Sequence, residues 1–174
     1  MKRNLIPVAL LVLVATSLLA AGSGKAQGLS AEEQQFVKKA AAGGLAEVKL
    51  SELANDRASD PKVKEFATQM VTDHTQANDE LKPIAESNKI PVPTKLTGEH
   101  EVAYKHLERL SGAKFDAAYI KIMVSDHDKT VSAFEEASSK IKDPSLKAFV
   151  DKTLPVLRQH KEHIHEIAGS QGKA

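Results

Sequence analysis

The sequence contains no cysteine among its 174 residues. This absence excludes disulfide bonds, thiol chemistry and a lipid-modified cysteine at the mature N-terminus. A chain of this length buries roughly 70% of its unfolded surface on folding, which is enough for stability without cross-links. We therefore expect a fold that is held together by side-chain packing alone.

An excess of charge of either sign is also lacking, because 24 basic residues face 23 acidic ones. Proteins that bind nucleic acid or anionic lipid carry a basic excess, so we expect no nucleic-acid partner. The sequence has neither a glycine-rich phosphate loop nor a Gly-x-Ser-x-Gly turn. Enzymatic activity, protein partners and assembly into a homo-oligomer stay open.

The N-terminus has the layout of a signal peptide. The basic start Met1–Arg3 precedes an apolar run from Leu5 to Ala21, and small residues then fit cleavage after Ala26. We predict a signal peptide over residues 1–26 and a mature domain over 27–174. The protein would then be periplasmic, without stable membrane insertion after cleavage, because no second apolar run is long enough to span a bilayer.

Capping signals divide the mature chain into four long helices and one short one. Ser30 and Glu33 form a capping box, and Asp60-Pro61 and Asp143-Pro144 each place an N-cap before a proline. These and similar signals predict long helices over about 31–55, 61–88, 111–141 and 144–169, and a short helix over 97–110. Each long helix carries one apolar stripe.

The links between these helices predict their connection. The links at 56–60 and 142–144 are short, so each joins two antiparallel neighbours, whereas the segment 89–111 is long enough to cross over the bundle. We predict an all-α fold, namely a ferritin-like four-helix bundle with two antiparallel hairpins and a long crossover that contains the short helix. Gly43-Gly44, in the middle of the first helix, predicts close approach of another helix or of a bulky neighbour such as Tyr119.

Two helices repeat the motif Met-Val-x-Asp-His, at residues 70–74 and 123–127. Met and His are four residues apart and share a helix face, so both His74 and His127 are expected in the core. The other two long helices interrupt their stripes with Glu47 and His160. At about 1.5 Å of rise per residue, all four side chains lie at similar depths from the connecting turns. One carboxylate and three imidazoles are suitable ligands for a transition metal ion, namely Fe, Zn, Mn or Cu.

Three interpretations of this set stay open. In the first, Glu47, His74, His127 and His160 bind a mononuclear metal ion. In the second, the protein is a metal-free structural or partner-binding module, whose buried residues form a closed polar network with Asp73 and Asp126. In the third, it is a redox enzyme that uses a bound metal. A bridged di-iron centre is not expected, because the apolar stripes carry one carboxylate rather than four.

Four blocks of the chain resemble a bacterial family of ferritin-like proteins designated as a domain of unknown function. The blocks are FVKKAAAGGLAEVKLSELA, VKEFATQMVTDHTQAND, SGAKFDAAYIKIMVSDHDKTVSAFEE and LKAFVDKTLPVLRQHKE. The resemblance spans about residues 31–168 and implies an exported helical bundle without an established activity. Its members are often labelled as predicted outer-membrane proteins, whereas this sequence favours a soluble periplasmic protein. The same four site residues fall within the blocks.

Overall fold

The computed structural model describes residues 28–171, so the predicted signal peptide lies outside the described residues. Within that range the chain forms five helices: α1 Ala31–Arg57, α2 Pro61–Ser87, α3 Gly98–Leu107, α4 Gly112–Lys140 and α5 Pro144–Gln171. The prediction of four long helices and a short one is confirmed, with ends that differ by up to three residues. None of the helices in this range has the length and hydropathy needed to cross a membrane.

A capping box sets the start of α1, and one residue of this box also bonds to the turn between α4 and α5. Ser30 accepts from the Glu33 backbone N–H, and Glu33 accepts from the Ser30 N–H, which completes the capping box. The second carboxylate oxygen of Glu33 accepts from the N–H groups of Lys142 and Asp143, at 2.8 and 3.0 Å. The start of α1 is thereby fixed to the turn between α4 and α5.

The four long helices form two hairpins, as predicted. α1 packs chiefly on α2 and α4 on α5, and the hairpins meet mainly through α2 and α5. The segment between α2 and α4 carries α3, which contacts α1 and α4. This arrangement is the predicted all-α, ferritin-like four-helix bundle with one long crossover.

The paired glycines of α1 have different surroundings. A Cβ on Gly44 would collide with the side-chain amide of Asn78 on α2, whereas one on Gly43 would meet nothing within 4 Å. The expected close neighbour is therefore present at Gly44, as a side chain of α2. The suggestion of Tyr119 as the neighbour is wrong, because its hydroxyl lies 2.7 Å from the Ser51 hydroxyl, on a different part of α1.

A buried aspartate holds the first turn. Asp116 on α4 accepts from the backbone N–H groups of Ser59 and Asp60 and from the Ser59 hydroxyl, although its side chain is almost fully buried. These bonds satisfy the carboxylate and the N–H groups at the start of α2. The α1–α2 turn is thus fixed to the opposite hairpin.

The apolar core consists of two clusters along the bundle axis. One cluster includes Val37, Phe134 and Phe149 near the α4–α5 turn, and the other includes Phe66, Phe115 and Met123 near the α1–α2 turn. The polar residues predicted for the site occur between the two clusters in each long helix. A polar layer therefore separates two apolar layers in the middle of the bundle.

Candidate metal centre

Each long helix contributes one buried ionisable side chain to the polar layer. Glu47 comes from α1, His74 from α2, His127 from α4 and His160 from α5, and each is at most 7% exposed. The helical stripes explain this burial, because each residue lies one turn from a fully or nearly fully buried apolar neighbour. Met70 precedes His74 by four residues and Met123 precedes His127 by four.

The three imidazoles form a compact group. The ring centroids of His74 and His160 are 5.4 Å apart, those of His127 and His160 are 5.7 Å apart, and those of His74 and His127 are 6.1 Å apart. One nitrogen of each ring lies within 4.8 Å of one nitrogen of both others. Nitrogens that bind the same zinc ion lie roughly 3.4 Å apart. Small side-chain rotations would therefore close the group around an ion.

Hydrogen bonds fix the protonation of two of these rings. The Nδ1–H of His127 donates to the Met123 carbonyl at 2.9 Å, and the Nε2–H of His160 donates to the Asp73 carboxylate at 2.8 Å. A carbonyl oxygen and a carboxylate only accept here, so the proton of each ring is on the bonded nitrogen. The other nitrogen keeps its lone pair, as in histidines that are oriented for a metal.

The atoms that face inward are the ones that lack partners. Within residues 28–171, four buried side-chain atoms have no hydrogen-bond partner: Glu47 Oε2, His74 Nε2, His127 Nε2 and His160 Nδ1. Buried polar atoms are otherwise almost always paired, so an unpaired group calls for a ligand. These atoms belong to the four residues that the sequence singled out, and to no others in that range.

Glu47 lies beside the three histidines rather than among them. Its Oε1 is 4.0 Å from His127 Nδ1, which already donates to Met123, and it is not part of the compact histidine group. Burial, together with the negative charge of Asp126, raises the pKa of Glu47 to about 8. The carboxyl is therefore mostly protonated at neutral pH in the metal-free protein, and its contact with His127 is not an ion pair.

The histidines are neutral at neutral pH. Burial lowers the pKa of His74 well below its usual value, and repulsion between a protonated His74 and the protonated forms of His160 and His127 lowers it further. Burial lowers the pKa of His127 to about 4, against the opposing effect of its bond to Met123. Burial also lowers the pKa of His160, although the bond to Asp73 opposes it. No proton has to be displaced before these rings bind a metal.

His74, His127 and His160 are called the histidine triad below. Two residues that contact this triad were not assigned to the metal site from the sequence. Phe66 packs edge-on against His127 and His160, at centroid distances of 6.1 and 6.3 Å, and so forms the end of the apolar cluster near the α1–α2 turn that contacts the histidines. Asp73 was assigned only to the alternative closed network, yet it orients His160. The Asp-His pair of the repeated motif was the available signal, but it does not reveal that Asp73 bonds to a histidine of another helix.

The two copies of the motif differ in what their aspartates contact. Asp73 bonds to His160 on α5, whereas Asp126 is half-buried near Glu47, with His100 of α3 and Lys129 close to it. The two copies therefore have similar sequences but different partners. The difference follows from their neighbours, because α2 packs on α5 and α4 contacts α1 and α3.

Comparison with known proteins identifies the family. The family described as Domain of unknown function (DUF4142) matches residues 18–167. The chain belongs to this family. It is the family of ferritin-like proteins that the sequence resembles, which confirms that prediction. None of the curated proteins matches the DUF4142 chain in sequence.

Several solved structures have the same fold as this chain. A DUF305 fragment from Deinococcus radiodurans is 13% identical, with a TM-score of 0.72, over 83% of this chain and 99% of that one. A DUF305 protein from Streptomyces coelicolor, predicted to be secreted, is 12% identical, with a TM-score of 0.69, over 80% and 93%. CopM in its Cu(II)-bound form is 17% identical, with a TM-score of 0.68, over 80% and 97%. At these identities the likeness establishes the fold of the DUF4142 chain.

Proposed function

We propose that this DUF4142 protein binds a transition metal ion in the middle of its bundle and handles that metal, or protects against metal-related stress, in the cell envelope. His74, His127 and His160 are the proposed ligands, with Glu47 as a fourth. The observation that carries this proposal is that each of the four residues has a buried, unpartnered atom, and that the three histidines lie within ligand distance of one another, within residues 28–171. A closed polar network would instead have paired them.

The chemistry of the donors narrows the choice of metal. Neutral imidazoles suit Zn, Cu and Fe, and a single carboxylate nearby also admits Mn. CopM, which shares the fold, has been solved with Cu(I), Cu(II) and silver. That relative makes copper the first metal to test. Met70 and Met123 pack in the apolar cluster near the α1–α2 turn, so we assign them to the core rather than to the metal.

The proposed compartment is the periplasm. Residues 1–26 have the sequence of a cleavable signal peptide, and the mature domain is proposed to span 27–174. The Streptomyces coelicolor relative, predicted to be secreted, agrees with export. An envelope protein meets copper and zinc from outside the cell before the cytoplasm does, so a role in metal handling fits this location.

Metal analysis of untagged protein tests the proposal. We expect one equivalent of Cu or Zn per chain after loading and desalting, and loss of that equivalent in the double variant His74→Ala, His127→Ala. His165→Ala is the matched control, because His165 is exposed on α5, bonds to Asp128 and is not part of the compact histidine group. The control should retain the full equivalent.

Two outcomes would contradict the proposal. Absence of bound metal in the wild type under all loading conditions would favour the metal-free module. Retention of metal in the double variant, with loss in His165→Ala, would assign binding to the exposed face of α5 around His165. Circular dichroism of each variant verifies that the helices are intact.

A further inference from the structure

A cleft between α2 and α5 connects the triad with the surface. It has a volume of about 70 Å³, which is room for a few water molecules. His74 and His160 line its inner end, whereas His127 does not line it. Phe66, which packs against His127 and His160, does not line the cleft. The cleft therefore leads to two of the three histidines.

Charged residues of opposite sign line the outer part of this cleft. Asp73 is partly exposed there, and only one of its two oxygens is bonded to His160. Glu80 of α2 accepts from Lys152 of α5 at 2.6 Å, so this ion pair bridges the two helices. Gln76 also donates to Glu80, at 3.0 Å, and holds it in place.

We propose that a metal cation reaches the triad through this cleft, that Asp73 is its first contact, and that the Lys152–Glu80 pair controls its passage. The proposal rests on the proposed metal-binding function. The unpartnered atoms His74 Nε2 and His160 Nδ1 are buried and belong to the residues that line the inner end. Asp73 and His74 are consecutive residues that both line the cleft, and the Asp73 carboxylate orients His160. A cation that contacts Asp73 is thus close to both histidines at the inner end.

The two members of the ion pair should affect access in opposite directions. The Lys152 ammonium repels an approaching cation, and the Glu80 carboxylate offsets this repulsion. Removal of one unit charge near the path of a divalent ion changes the local concentration of that ion by roughly two- to fourfold at low ionic strength. Lys152→Ala should therefore speed association and Glu80→Gln should slow it.

Stopped-flow mixing of the metal-free protein with Zn²⁺, followed with a chromophoric zinc indicator, measures this rate. We expect association to be about threefold faster in Lys152→Ala and about threefold slower in Glu80→Gln, with both effects reduced by added salt. Lys161→Ala is the control: Lys161 is also on α5 and pairs with Asp128 of α4 at 2.9 Å, but it lies outside this cleft. Its rate should equal that of the wild type.

Failure of this proposal is distinct from failure of the metal-binding function. If the wild type binds one equivalent of Zn²⁺ at the triad but all three variants associate at the same rate, the cleft is not the route. Slower association in Asp126→Asn, with Lys152→Ala unchanged, would place the route on the α3 side and would also overturn the proposal. If the triad binds no metal, the proposed function itself fails, and it does so in the metal analysis rather than in these rates.

Discussion

Replacement of Glu47 by Gln should change how the stability of the metal-free protein depends on pH. The pKa of Glu47 is about 8 in the folded protein, against 4.5 for an ordinary glutamate. The folded state therefore binds more protons than the unfolded state between these two values. Stability is lost as the pH rises from about 4.5 to about 8, because the unfolded chain can ionise this carboxyl freely and the folded chain cannot.

The size of this loss follows from the shift. Each pKa unit corresponds to about 1.4 kcal/mol, so the contribution of Glu47 should fall by roughly 3 kcal/mol between pH 5 and pH 8. Glutamine has nearly the same shape as glutamate and does not titrate, so the free energy of unfolding of the variant should lack this pH-dependent contribution. Titration of the histidines is present in both proteins and cancels in the difference between them.

Urea unfolding followed by far-ultraviolet circular dichroism, with a chelator present, measures this difference. The stability advantage of Glu47→Gln over the wild type should grow by roughly 3 kcal/mol from pH 5 to pH 8. Glu52→Gln, at an exposed position of the same helix, should show no such growth. A difference between wild type and Glu47→Gln that stays constant to within about 1 kcal/mol would refute the claim that Glu47 is a neutral buried carboxyl.

Bound metal should remove this loss if Glu47 is a ligand. A cation next to the carboxylate favours its ionised form, so wild-type protein with saturating Zn²⁺ should show no loss that depends on Glu47 between pH 5 and pH 8. Persistence of the loss in the metal-bound protein would restrict the ligand set to the three histidines. This measurement separates a four-residue site from a three-residue site.

Three further predictions concern other parts of the molecule. Asp73→Asn should weaken metal binding by roughly 10- to 100-fold in competition titrations, because His160 loses the carboxylate that orients it; unchanged affinity would remove Asp73 from the site. Asp116→Ala should destabilise the fold by about 2–4 kcal/mol in urea unfolding, because the N–H groups of Ser59 and Asp60 lose the acceptor that fixes the α1–α2 turn to α4; a cost below about 1 kcal/mol would contradict this role. Gly43→Ala should stabilise the protein by up to about 1 kcal/mol, whereas Gly44→Ala should not, because its added methyl meets Asn78; equal melting temperatures would show that the contact is unimportant.

Local features of the sequence determined the helices and their connection. A capping box, an Asp-Pro pair or an apolar stripe acts within one or two helical turns, so its effect can be deduced without knowledge of the rest of the chain. The lengths of the links then determined which helices are antiparallel neighbours. The same periodicity placed Glu47, His74, His127 and His160 on the inner faces at similar depth, and the structure brings their side chains to one polar layer.

Only the tertiary structure decided how these side chains meet. Asp73 and His160 are 87 residues apart, and Asp116 and Ser59 are 57 apart. Helical periodicity predicts the face of the helix on which a side chain lies and its height along the axis, because each residue adds about 100° of rotation and about 1.5 Å of rise. This precision is too low to specify a hydrogen bond between two helices. The packing of the helices fixes the side-chain torsions and interhelical distances. These determine which nitrogen of His127 and of His160 keeps its lone pair, and they place Glu47 beside the histidines rather than among them.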